Sequence, residues 1–136
     1  MRVCLDTNVL VSAFVGRGLC ADVLRVVLAR YHLVLGATVL GELDRVLRAK
    51  MGVPEAVVAD ALDLLRAEAA EVVAEALEPV AGLDIEDGRV VAEAVAGRAD
   101  MLITGDQALL RADAMPVIVL SPRGFWERSR TEGGVG

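Results

Sequence analysis

The sequence predicts a single α/β domain, a three-layer α/β/α arrangement around a central parallel sheet of about five strands. Its 136 residues fit one domain and leave no room for a second catalytic or regulatory one. Its apolar runs are short and continuous instead of alternating, the pattern of strands buried on both faces. Segments with helical spacing separate those runs, as βαβ units require.

The first strand is Met1 to Leu5, interrupted only by Arg2 and stopped by Asp6. Residues 8–15 and 19–30 follow as helices, the second with Leu19, Val23, Val26 and Val27 on one stripe. His32 to Gly36 is the second strand, and Thr38 is expected to cap a helix running to about Lys50. Pro54 suits the first position of a helix whose face carries Val57, Val58, Ala61, Leu62 and Leu65. A short third strand is expected within Val72 to Val80, and Asp87 to Ala96 reads as a helix ended by Gly97. Met101 to Thr104 is a strand with a tight turn at Gly105-Asp106, Val117 to Leu120 is the last strand, and Ser121-Pro122 opens a short helix with Phe125 and Trp126. The folded domain is expected over 1–130 and a C-terminal tail over 131–136.

At 55% hydrophobic and 25% charged residues, the chain is too apolar for a disordered polymer. Aromatic residues make up only 3%, so aliphatic side chains must fill the core and a stacking platform for single-stranded bases is nearly excluded. The formal net charge of −6 disfavours binding a polyphosphate through a basic field alone, although a cation would reverse that locally. Cys4 and Cys20 are too few for a disulfide framework, no signal-peptide pattern opens the chain, and no apolar run approaches the ~18 residues of a membrane span. The expected setting is cytoplasmic, with no membrane contact.

In an open parallel sheet, ligands sit beyond the carboxyl ends of the strands. Asp6 directly follows the first strand and Asp106 follows the fourth after one glycine, so both fall on that edge. Glu42, three residues after Val39 and four before Val46, lies at the margin of its helix's apolar stripe, and Asp87 stands in a first helical turn aligned with Val90, Val91 and Ala94. Taken singly, Asp87 reads more readily as a cap and Glu42 as a partly exposed carboxylate. Four carboxylates converging on one cleft repel, and protonation or a cation must relieve them. Mg²⁺ or Mn²⁺ suits such oxygen ligands and binds phosphate oxygens at the same time. Asn8 and Thr104 stand where they can donate hydrogen bonds that orient the acids, or else serve as a helix cap and a strand residue.

With these residues in place, the sequence resembles the PIN-domain family, the nuclease domain of many prokaryotic toxin-antitoxin systems and, among them, the VapC-like ribonucleases. The resemblance rests on Asp6-Thr7-Asn8-Val9-Leu10, Leu40-Gly41-Glu42-Leu43, Asp84-Ile-Glu-Asp87 leading to Val90-Val91-Ala92-Glu93-Ala94, and Ala99-Asp100-Met101-Leu102-Ile103-Thr104-Gly105-Asp106, in order, over residues 1 to about 126. It implies a Mg²⁺- or Mn²⁺-dependent ribonuclease with an acidic site of Asp6, Glu42, Asp87 and Asp106 acting on RNA. It also implies homodimerisation and a small antitoxin protein whose segment fills the groove. Ala108 stands where related sequences often carry a further aspartate. Asp84 and Glu86 flank Asp87 closely, and helical register prefers Asp87.

Rival readings fit less well. A receiver-type phosphoacceptor domain needs a lysine after the last strand, where Ser121-Pro122-Arg123 stands, and the only lysine is Lys50. Asn8 occupies the position of the second aspartate of a haloacid-dehalogenase-type phosphatase. Gly16-Arg-Gly18-Leu-Cys-Ala21 matches a dinucleotide fingerprint, but Gly36 closes the second strand where an acid should meet the ribose. The one histidine, His32, opens a strand and offers no acid–base pair for metal-independent RNA cleavage. A PIN-like module that binds RNA or a protein without cutting remains the alternative. Helices 38–50 and 54–68 are candidates for a dimer or antitoxin surface, with burial in the monomer as the default. Arg123, Arg128 and Arg130 read as a solvated face around a docked Phe125 and Trp126.

Overall fold

The computed structural model describes residues 1–76 and 78–132. Five parallel strands form one sheet in the order β3-β2-β1-β4-β5, comprising β1 (Arg2–Leu5), β2 (His32–Gly36), β3 (Glu71–Val73), β4 (Met101–Ile103) and β5 (Ile118–Leu120). Val3 pairs with Leu33 on one side and Met101 on the other, so β1 is the central strand. Consecutive residues Val3-Cys4-Leu5, Leu33-Val34-Leu35 and Met101-Leu102-Ile103 are all at most 1% exposed. Successive strand side chains point to opposite faces, so both faces of the sheet are covered, as the continuous apolar runs required.

The flanking helices are α1 (Thr7–Val15), α2 (Leu19–Arg30), α3 (Ala37–Arg45), α4 (Glu55–Glu68), α5 (Ile85–Ala96), α6 (Gln107–Arg111) and α7 (Pro122–Glu132). Phe125 on α7 is fully buried and meets Tyr31 edge-on, with ring centroids 5.2 Å apart. Trp126 packs partly buried against the same core, matching the expected docking of this helix. No helix among the described residues is long and apolar enough to cross a membrane.

Several boundaries differ from expectation. Asp84, not Asp87, caps α5, accepting from the Asp87 backbone N–H at 2.9 Å, and Asp87 becomes its third residue. Gly36 occupies the cap position of α3, and the Thr38 side chain bonds Glu93 instead of capping. Beyond Arg45 that helix widens into a π-helical turn, Val46–Lys50, so it does not continue as α-helix to Lys50. Pro54 is the cap of α4 and not its first residue, so the helix begins one residue later than expected, at Glu55. The third strand spans only Glu71–Val73; past it the Ala76 N–H bonds the Glu93 carboxylate at 3.1 Å and the Val80 N–H bonds Gly88 O at 3.0 Å. The short helix α6 was not anticipated. The last helix runs through Thr131 and Glu132 into the expected tail, whose residues 133–136 lie outside the described residues.

One buried carboxylate joins two of these helices to the loop after β3. Glu93 on α5 is 1% exposed and accepts from the Thr38 N–H at 2.8 Å, the Ala76 N–H at 3.1 Å and the Thr38 hydroxyl. Gly36 makes room for it, since a Cβ there would stand 2.3 Å from Glu93 Oε1. Breaking any of these bonds would strand a buried polar group, so Glu93 fixes the start of α3 relative to α5.

Candidate active site

Strand order reverses beside β1, and in a parallel sheet the crevice opens at the carboxyl ends on either side of that point. Asp6 leaves β1 there and is only 6% exposed. It caps α1, Oδ1 accepting from the Thr7 N–H at 2.8 Å, while Oδ2 accepts from the Thr104 hydroxyl at 2.7 Å and from Asn8 Nδ2 at 3.3 Å. Thr104, fully buried at the end of β4, in turn accepts from the Asp106 N–H at 2.9 Å. Asn8 Oδ1 accepts from the Gly105 N–H at 2.9 Å. Both residues expected to orient the acids therefore bond to Asp6 and also hold the turn that carries Asp106. The Asp106 carboxylate caps α6 through the Ala108 N–H at 2.8 Å.

A cavity of about 480 Å³ lies above this network. All four expected acids, Asp6, Glu42, Asp87 and Asp106, border it, and so do Asp84 and Glu86. Register thus placed Asp87 on the cavity as expected. It did not exclude Asp84 and Glu86, the cap and a first-turn residue of α5, which border the same cavity while Ile85 between them does not. Thr7, Ser12 and Val46 also border the cavity and were not anticipated, nothing in their types marking them.

The acids act on one another. Burial, then the Asp106, Asp84 and Asp6 carboxylates, raise the Asp87 carboxyl to about 6. Burial and the adjacent Glu86 raise Glu42 to about 7, with Asp6 adding to the effect and Arg45 opposing it. Burial raises Asp6 too, against the lowering by its Thr104, Thr7 and Asn8 bonds. In the absence of a cation, protons relieve the repulsion.

Among the described residues, no three acidic, histidine or cysteine side chains gather on one point as a closed metal cage does. The six carboxylates ring the cavity instead. Two features nevertheless suit a hard divalent ion there. The donor set is oxygen only, the type such ions take. The Thr7 hydroxyl, buried at the cavity floor, also has no hydrogen-bond partner among the described residues. Cys4 beneath the site is no nucleophile, burial and the nearby Asp6 and Glu93 pushing its thiol up to about 12.

Comparison with known proteins agrees with the architecture. The fold is similar to a chain in the crystal structure of VapBC2 from Rickettsia felis bound to a DNA fragment from their promoter, with a TM-score of 0.64 and 20% identity over 89% of this chain and 98% of that one. No curated protein matches the sequence. The family model described as "PIN domain" matches residues 2–108, most of the chain and every acid bordering the cavity. This chain belongs to the PIN-domain family.

Proposed function

We propose that the chain is a Mg²⁺- or Mn²⁺-dependent endoribonuclease that hydrolyses RNA phosphodiester bonds at this cavity, as the VapC-like toxin of a prokaryotic toxin-antitoxin pair. The observation that carries this reading is the ring of carboxylates at the sheet's switch point, two of which, Asp87 and Glu42, are raised to about 6 and about 7 by burial and their acidic neighbours. Asp6, Glu42, Asp87 and Asp106 are the residues that would hold the metal. A divalent ion supplies Lewis acidity toward a phosphoryl oxygen and a lowered pKa for water. Asp6 is presented by its bonds to Thr104 and Asn8, so that its oxygens do not reorient when charge arrives. Glu42 and Asp87 give up protons as the site fills, which makes occupancy favour higher pH.

Membership of the PIN family and the likeness to Rickettsia felis VapBC2 support a small antitoxin as partner and a cytoplasmic setting. The same reading expects a homodimer. A second reading, a PIN-like module that binds RNA or a protein without cutting, draws on the absence of a tight three-ligand group among the described residues. RNA cleavage separates the two. Wild-type protein with Mg²⁺ or Mn²⁺ should cut RNA, EDTA should abolish it, and Asp6→Asn or Asp106→Asn should lower the rate by more than the ~10–100-fold typical of losing an outer partner. Cleavage that survives both substitutions, or persists in EDTA, contradicts the mechanism. Tight RNA or protein binding without cleavage favours the second reading.

A further inference from the structure

A second cavity, of about 490 Å³, shares the side chains of Glu42 and Glu86 with the first, so the two are contiguous across that wall. Its character differs. Among the described residues, the only cationic side chains bordering either cavity, Arg45 and Arg89, both border this one. Each lies three residues after a shared carboxylate, Arg45 after Glu42 on the helix α3 and Arg89 after Glu86 on α5. That spacing keeps acid and guanidinium on neighbouring positions of one helical face.

These guanidiniums are poorly committed within the protein. Arg45 makes no ion pair among the described residues, whereas Arg48 on the same segment pairs with Asp44 at 2.6 Å. Arg89 reaches Glu75 only at 3.8 Å, and its Nε is buried without a hydrogen-bond partner among the described residues. A buried unpaired donor is costly, and a guanidinium fork matches the oxygens of a phosphate. Among the described residues no aromatic side chain borders either cavity, which favours backbone contact over stacking as the way to hold a nucleotide beside the carboxylates.

Resting on the nuclease reading above, we infer that Arg45 and Arg89 form a subsite for the RNA phosphate adjacent to the one at the carboxylate cavity. The subsite supplies binding and register for the strand, and the carboxylate ring supplies the chemistry. It gives an acidic protein two unlike ways of holding successive phosphates.

The test is steady-state cleavage of a single-stranded RNA oligonucleotide in Mn²⁺, across a series of KCl concentrations, with wild type, Arg45→Gln, Arg89→Gln and Arg89→Lys. Each Gln variant should raise KM roughly tenfold with kcat within about twofold. The slope of log(kcat/KM) against log[KCl] should become shallower by about 0.7 for each phosphate that the variant no longer neutralises. Arg89→Lys, which keeps the charge, should retain most of the wild-type slope, and thermal melts of all variants check that they fold. Unchanged KM and slope in both Gln variants overturn the subsite while leaving the nuclease reading intact. A fall in kcat at constant KM overturns it too, by putting the arginines in the chemistry. A wild type that cuts no RNA with either metal overturns the nuclease reading and the subsite with it.

Discussion

Thr104 is the side chain on which the acidic site turns. Its hydroxyl donates to Asp6 and accepts from the backbone of Asp106, so one β-branched residue at the end of β4 sets the relation between acids from two strands. Thr104→Val keeps the shape and removes both bonds. It should cost about 10–100-fold in Mn²⁺ affinity, read from the metal dependence of the cleavage rate, while Thr104→Ser should recover most of that affinity. The raised Glu42 and Asp87 lead to a second expectation. Near pH 6 the ion-free cavity still holds protons that a cation must displace, so Mn²⁺ affinity should climb between about pH 5.5 and 7.5. Calorimetric titrations in buffers of different ionisation enthalpy would register the proton release, and an affinity flat across that range would contradict the electrostatic account.

At the level of elements, Glu93 carries the largest stability expectation. It is buried with three donors directed at it, so Glu93→Ala should destabilise the fold by about 3 kcal/mol in urea unfolding, mostly through the stranded Thr38 and Ala76 groups. This residue also marks where sequence reading stops. Continuous apolar runs identified β1, β2 and β4 nearly to the residue, because strands buried on both faces leave no room for polar interruptions. Helical period then carried Glu42 and Asp87 to the correct edge. Glu93 sits among Val90, Val91 and Ala94, and nothing local tells a buried carboxylate from one facing solvent, since its partners come from residues 38 and 76. The start of α5 was missed for a related reason. Asp84 and Asp87 are both acceptable caps by residue type, and in the structure it is Asp84 that accepts from the Asp87 N–H. Arg45 and Arg89 passed unmarked because an arginine after an acid on a helix ordinarily signals a solvated face.

For the whole molecule, the balance of twenty acids against fourteen basic residues acquires a location. Six of those acids border one cavity, and on the proposed nuclease reading the charge that disfavours a polyanion elsewhere would recruit a cation that attracts one. The same crowding weakens the ion-free fold. Glu42 and Asp87 have folded values above their ordinary 4.5 and 3.8, so the native state binds more protons than the unfolded chain between those limits. Stability is therefore fullest below about pH 4 as far as these groups are concerned, and is lost as pH rises through about 6 and 7. Thermal melts should show Mg²⁺ raising Tm more at pH 7.5 than at pH 5. On the outer face of α4, Val57 and Leu64 are about half exposed, at 54% and 51%, while Val58, Leu62 and Leu65 fill the core. This is the surface on which the proposed homodimer is most readily tested, by asking whether Leu64→Lys shifts light-scattering mass toward the 14.3 kDa monomer. The most direct measurement of the central claim is the rate of RNA cleavage as free Mn²⁺ is varied, in wild type and Asp87→Asn. The carboxylate-ring account predicts saturable, EDTA-sensitive cleavage that Asp87→Asn moves to higher Mn²⁺ or abolishes; equal cleavage by both proteins, or cleavage without divalent metal, would contradict it.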